Sequence, residues 1–251
     1  VTGVQTCALP IYIGSASSKK FPFDQGWALY LNAIKDVDPK LYEFSKDMED
    51  GGRMSVFPKK GKVGGAYANY TQRIPSFTLL NWTDMASDVT TLAHELGHCF
   101  HGMLAKKQKS LVYDTPMTLA ETASIFNETI MFDVLMQQDM DEQERLSMVA
   151  SRLDDIFGTI ARQIAFTSFE RRCHESFDRN EPLSPDDYDR MWLEEMRELY
   201  GSGVNIQPEM AQFGWASIPH IYHTPFYCYS YALQCRPKSR KYSLLIHITY
   251  F

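Results

Sequence analysis

DVTTLAHELGHCFH, residues 88–101, carries His94-Glu95-Leu96-Gly97-His98, two histidines four residues apart around a glutamate. Val89, Leu92, Ala93, Leu96 and Phe100 recur around them at helical spacing, so the stretch reads as a helix. Side chains four apart on a helix are neighbours, and both imidazoles can therefore reach one ion. Glu95 lies about 100° further round the helix, close enough to act on a water beside that ion without ligating it. Zinc hydrolases use three protein ligands and keep a fourth position open. A continuation to G-x-x-H fails here, because the corresponding positions hold His101 and Leu104. The third ligand is expected to be Glu121, which stands in an otherwise small and apolar run (Thr118, Leu119, Ala120, Thr122, Ala123) on the next helix. Glu128, two turns later on the same face, is either a hydrogen-bond partner for a ligand imidazole or a plain surface carboxylate. His101 is read as a structural histidine.

Working outward, residues 26–50 carry apolar positions at helical spacing, broken near Pro39 and closed by Gly51-Gly52, and predict a helical pair. From Met54 to Trp82 short β-rich runs (MSVF, KVGGAYANY, SFTLLNW) predict a small sheet just before the metal helix. The metal helix is expected from Asp84 or Ser87 to Lys107. Thr115-Pro116 predicts a capped start for a helix reaching about Gln138, and 141–178 reads as one long helical pattern. Ser184-Pro185 with Asp187 opens a further helix ended by Gly201. The fold class expected is mainly α, a zincin-like helical catalytic domain with one small β-sheet preceding the metal-binding helix.

The 251 residues are 44% hydrophobic and 22% charged, an ordinary globular composition long enough for one or two domains. A net charge of −6 with mixed signs offers no basic stripe, so nucleic acid is not an expected partner. No apolar run approaches the roughly 20 residues that cross a bilayer, and no signal-peptide pattern opens the chain, so a cytoplasmic protein without membrane partners is expected. Five scattered cysteines (Cys7, Cys99, Cys173, Cys228, Cys235) suit free thiols. Residues 1–11 (VTGVQTCALPI) look like a translated adapter rather than native protein, which leaves 12–232 as a partial catalytic domain. The tail 233–251 turns abruptly basic and then β-branched; it reads as aberrant or truncated, the alternative being an ordinary tail with a short strand.

Four segments together resemble the thimet oligopeptidase and oligoendopeptidase F metallopeptidases, on the oligoendopeptidase F branch: DVTTLAHELGHCFH, AETASIFNE (120–128), GGAYANY followed by LLNW (64–82), and PHIYHTPFYCYSYA (219–232). Their order and spacing carry the likeness over residues 19–232. The resemblance implies one zinc ion held by His94, His98 and Glu121, with Glu95 as general base and acid. It also implies that His220, Tyr222 and Tyr229 bind substrate and stabilise the reacting carbonyl. Read without it, the aromatic run 222–231 is a packing stripe, and Tyr227 and Tyr231 remain credible substitutes for Tyr229. The strand around Ala66 and Tyr67 is expected to pair with an extended substrate, with Tyr227 as a further substrate contact. The family fold implied is a helical body split by a deep channel that admits short unfolded peptides. Its members carry a large helical amino-terminal region and final helices for which no counterpart is expected in this chain. A zinc-stabilised module without catalysis is the competing reading.

Overall fold

The computed structural model describes residues 4–6 and 19–234, without the side chains of 4–6, Met210, Leu233 and Gln234. The readings made on the rest of 1–11 and on 235–251 lie outside the described residues. In chain order the elements are β1 (Val4–Thr6), α1 (Phe23–Lys35), α2 (Pro39–Asp50), β2 (Met54–Ser55), β3 (Tyr67–Asn69), β4 (Phe77–Leu79), α3 (Ala86–Ala105) and α4 (Thr122–Met136). There follow α5 (Glu142–Thr159), α6 (Ala161–Asp178), α7 (Pro185–Tyr200), β5 (Val204–Ile206), α8 (Pro208–Ala211), α9 (Pro219–His223) and α10 (Tyr229–Gln234). The chain divides into two compact units, and the division falls within α5, between Ser147 and Met148.

In the first unit, the break at Pro39 works as the sequence suggests. Asp38 accepts the Lys40 N–H at 2.8 Å, Pro39 opens α2 where no N–H is needed, and Gly51 ends it. Tyr30, Ile34, Leu41 and Met48 from this pair are buried, as are Leu80, Trp82, Val89, Leu92 and Leu96. The sheet order is β2-β4-β3, with β2 parallel and β3 antiparallel to the central β4. That leaves β3 at an edge. The Asp88 carboxylate accepts the N–H groups of Thr83 and Met85 at 2.7 and 2.9 Å and so ties down the start of α3.

The second helix of the site does not begin as expected. Pro116 stays outside any helix (φ −55°, ψ 140°), and Met117–Leu119 form a 3-10 turn with no side-chain cap. The α-helical hydrogen bonds start only after Glu121 (φ −91°, ψ 3°), so this glutamate is the N-cap of α4 rather than a residue within it. Nor is 141–178 one helix. Gly158 and the β-branched pair Thr159 and Ile160 interrupt it, Ile160 adopting φ −105°, ψ −71°. Hydrogen bonds still run through the kink, Ile160 N–H to Ile156 and Ile164 N–H to Ile160.

In the second unit, Ala165 and Phe169 of α6 pack with Met191, Trp192, Leu193 and Met196 of α7, and with Ile206, Ala211 and Ile218. Ser184 and Asp187 form the expected capping box of α7, and Gly201 at φ 55° ends it. A two-stranded antiparallel pairing of β1 with β5, absent from the sequence reading, completes the described backbone.

Candidate metal centre

His94 and His98 sit one turn apart on the buried flank of α3, their ring centroids 4.9 Å apart and nearly perpendicular. Between them Gly97 faces α4. A Cβ there would lie 2.6 Å from the Ala123 carbonyl oxygen and 2.7 Å from Ser124 Cα, so only glycine lets the two helices approach this closely. The approach brings Glu121 over the histidine pair. Its Oε2 lies 3.3 Å from His94 Nε2 and 3.2 Å from His98 Nε2. Among the described residues these three form the group whose ligand atoms all lie within 4.8 Å of one another. Bonds of about 2.0–2.1 Å in a tetrahedron put neighbouring donors about 3.3 Å apart. The imidazole–carboxylate spacing and the donor types therefore both fit zinc.

Glu121 and Glu128 complete the electrostatics. Burial works against the Glu121 carboxylate, but hydrogen bonds from His94 and His98 hold it well below the ordinary range. Ser124 Oγ donates to Glu121 Oε2 at 2.8 Å, a contact the sequence reading missed although Ser124 stands three residues after the glutamate. Glu128 Oε2 lies 3.1 Å from His94 Nδ1, which favours a proton on Nδ1 and would leave the Nε2 lone pair for a metal ion. Burial disfavours a charged His94, yet Glu121 and Glu128 together raise its pKa to about 10. His101 falls outside this group; burial, then His98, lowers its pKa.

Glu95 is buried, with 7% of its surface exposed. Burial raises its pKa, His94 and His98 lower it, Glu121 raises it again, and a hydrogen bond with the Ala68 backbone lowers it. The net shift is upward. Ala68 is the middle residue of β3, so the edge strand is tied to the glutamate beside the histidines. Tyr67 is half exposed on that strand, and its carbonyl accepts Thr78 Oγ1–H at 3.2 Å. Ala66 lines a cavity of about 330 Å³ with Gly65, Asn81, Trp82 and Thr91.

The aromatic segment belongs to the second unit. His220 in α9 stacks on Tyr227, centroids 5.2 Å apart and 7° from parallel, and Tyr227 meets Tyr231 edge-on at 5.2 Å. Tyr222 is half exposed; Tyr229 opens α10 and is partly buried. His220, Tyr222, Tyr227 and Tyr229 thus share one short stretch of chain.

Known proteins sharpen the picture. Oligoendopeptidase F of Lactococcus lactis subsp. cremoris is 38% identical over 211 residues, covering 81% of this chain and 35% of that protein. Oligopeptidase PepF of Bacillus subtilis is 30% identical over 203 residues, 79% of this chain and 30% of its own length. Among solved structures, a protein of Chlamydophila abortus described as a peptidase superimposes with a TM-score of 0.70 at 28% identity, covering 87% of this chain and 37% of the other. PZ peptidase A shares the fold with a TM-score of 0.66 at 22% identity, over 86% of this chain and 39% of its own. The chain spans about 35% of the Lactococcus relative's length. The model of peptidase family M3 matches residues 34–239, and on that match the chain belongs to peptidase family M3.

Proposed function

We propose that the intact protein is a cytoplasmic, zinc-dependent endopeptidase that hydrolyses peptide bonds in short oligopeptides. The observation that carries this reading is the convergence of His94 Nε2, His98 Nε2 and Glu121 Oε2 with the buried Glu95 alongside. When bound by those three residues, zinc supplies Lewis acidity that polarises a carbonyl and lowers the pKa of a water. Glu95 accepts the proton of the attacking water and then delivers it to the leaving amine. Its raised pKa suits a group that must both take and give a proton near neutrality. Glu128 keeps His94 in the tautomer that presents Nε2.

The edge strand β3 offers backbone groups at Ala66 and Tyr67 to an extended peptide, which favours binding without a strict sequence requirement. His220, Tyr222 and Tyr229 donate hydrogen bonds to the carbonyl oxygen as it becomes negative, and Tyr227 contacts substrate. Buried Cys99 and Cys228, both free, suit a reducing compartment. The competing reading, a zinc-stabilised module without catalysis, has no use for a buried carboxylate beside the ligands.

The test is Glu95→Gln in the intact protein. Zinc content and melting temperature should stay at parent values while cleavage of a quenched short peptide all but disappears, since an amide cannot accept the proton. Substantial turnover by a preparation free of parent enzyme would show that another base operates.

A further inference from the structure

The second unit buries a glutamate for which the mechanism above has no role. Glu170, in the middle of α6, is only 2% exposed. Its Oε1 accepts the backbone N–H of Phe226 at 2.7 Å. Phe226 sits at φ 59°, a left-handed conformation in which a bulky residue is strained. The local chain explains why. Thr224-Pro225-Phe226-Tyr227 is a turn in which the Thr224 carbonyl accepts the Tyr227 N–H at 3.2 Å, with proline second and a positive φ third. That pattern normally takes glycine or asparagine at the third position. One turn after Glu170 on α6, the His174 ring lies against the Phe226 ring, 4.6 Å between centroids. Two residues beyond Phe226, Cys228 is buried, and its thiol is pushed up to about 11 by burial and then by the Glu170 charge. The turn so held joins His220 and Tyr222 on one side to Tyr227 and Tyr229 on the other.

We propose that Glu170 is the positioning residue of the aromatic segment: its buried carboxylate, by fixing the strained Phe226 backbone, sets where the hydroxyls of Tyr227 and Tyr229 stand for a peptide substrate. The proposal rests on the reading of that segment as substrate-binding. A carboxylate is suited to the task because a charged acceptor makes a stronger bond to an N–H than a neutral one. Glu170 itself touches no reacting atom in this scheme.

Two variants of the intact protein separate reach from charge. Glu170→Asp withdraws the acceptor by one methylene, whereas Glu170→Gln keeps an oxygen at the same reach. In Glu170→Asp, kcat should fall roughly tenfold or more with KM within about threefold, the pattern of a donor misplaced for the transition state. Amide exchange at Phe226–Cys228 should quicken in the same variant. Glu170→Gln, which keeps an acceptor oxygen at that reach but loses the charge, should be clearly less impaired than Glu170→Asp in both measurements. The proposal is overturned if Glu170→Asp keeps kcat within about threefold of the parent, if kcat falls while exchange at 226–228 is unchanged, or if Glu170→Gln is as impaired as Glu170→Asp. Phenylalanine replacements of Tyr222, Tyr227 and Tyr229 run alongside. A silent tyrosine series rejects the substrate-binding reading itself, whereas an impaired series with a silent Glu170→Asp rejects the positioning role alone.

Discussion

Glu121 is a carboxylate in an apolar stretch, almost fully buried, and it is stabilised there by two imidazoles and the Ser124 hydroxyl. A buried charge with this many partners is held for a purpose, because desolvation alone would neutralise it. Replacing it by glutamine should cut zinc affinity severely, which chelator competition measures; unchanged stoichiometry and affinity would remove it from the site. Ser124→Ala and Glu128→Gln touch the ligands only through hydrogen bonds, so each should weaken zinc by roughly 10–100-fold. For His94 the sign of the pH effect follows from its pKa, raised from 6.5 to about 10. Its contribution to stability is complete below the unfolded value and disappears as pH climbs through the folded one. Chelator-treated protein should therefore melt at progressively lower temperature between pH 6.5 and 10, and a flat profile across that range would mean that His94 folds neutral. Tyr229→Phe tests the segment assignment. If its hydroxyl serves the developing oxyanion, turnover should drop roughly 10² to 10³-fold with little change in KM. Retained turnover alongside collapse in Tyr227→Phe or Tyr231→Phe would move the role to that neighbour.

At the level of elements, the metal centre depends on how closely α4 lies against α3. Gly97 makes that possible, and the cost of glycine inside a helix, about 1 kcal/mol relative to alanine, is accepted at this position. Gly97→Ala gains helix propensity but drives a methyl group into the backbone of Ala123 and Ser124. Overpacking of this kind costs roughly 1–3 kcal/mol, so the net effect should be lower stability, together with weaker zinc binding as Glu121 is levered away. Denaturant unfolding and metal titration of the variant would decide it. A variant as stable as the parent with parent-like zinc affinity would show that the helices can separate freely. The 3-10 entry to α4 matters as well. By ending at Ala120 it leaves Glu121 at the helix N-terminus, where the peptide dipoles favour a negative charge.

For the whole molecule, family membership is established, and the chain spans about 35% of the length of its Lactococcus relative. The oligopeptidase reading predicts a protein that cleaves short peptides and spares folded ones. A peptide of about ten residues, at most roughly 35 Å when extended, should be cut readily. The same sequence within a folded protein should survive. Comparing the two under identical conditions, with the intact protein as enzyme, would expose the reading as wrong if the folded substrate were cut at a similar rate.

Local chemistry made much of this legible. His94, Glu95 and His98 declare themselves because helical spacing alone puts them on adjacent positions, and Asp38 and Ser184 mark helix starts by accepting N–H groups two and three residues on. Glu121 was readable by contrast with its apolar neighbours. What stayed hidden depends on segments distant in sequence. The Ala68 contact with Glu95 exists because an edge strand passes the metal helix, and Glu170 meets Phe226 across 56 positions of chain. No periodicity or cap announces either one. The start of α4 was misplaced because Thr115-Pro116 fits a helix cap equally well on paper, whereas the packing of Ala123 and Ser124 on Gly97 accompanies a 3-10 turn before Glu121. Sequence marked out His94, His98 and Glu121 as a candidate metal group, since that depends on side-chain type and short-range spacing; tertiary structure decided how they are aimed, since that depends on how closely two helices and a strand can approach.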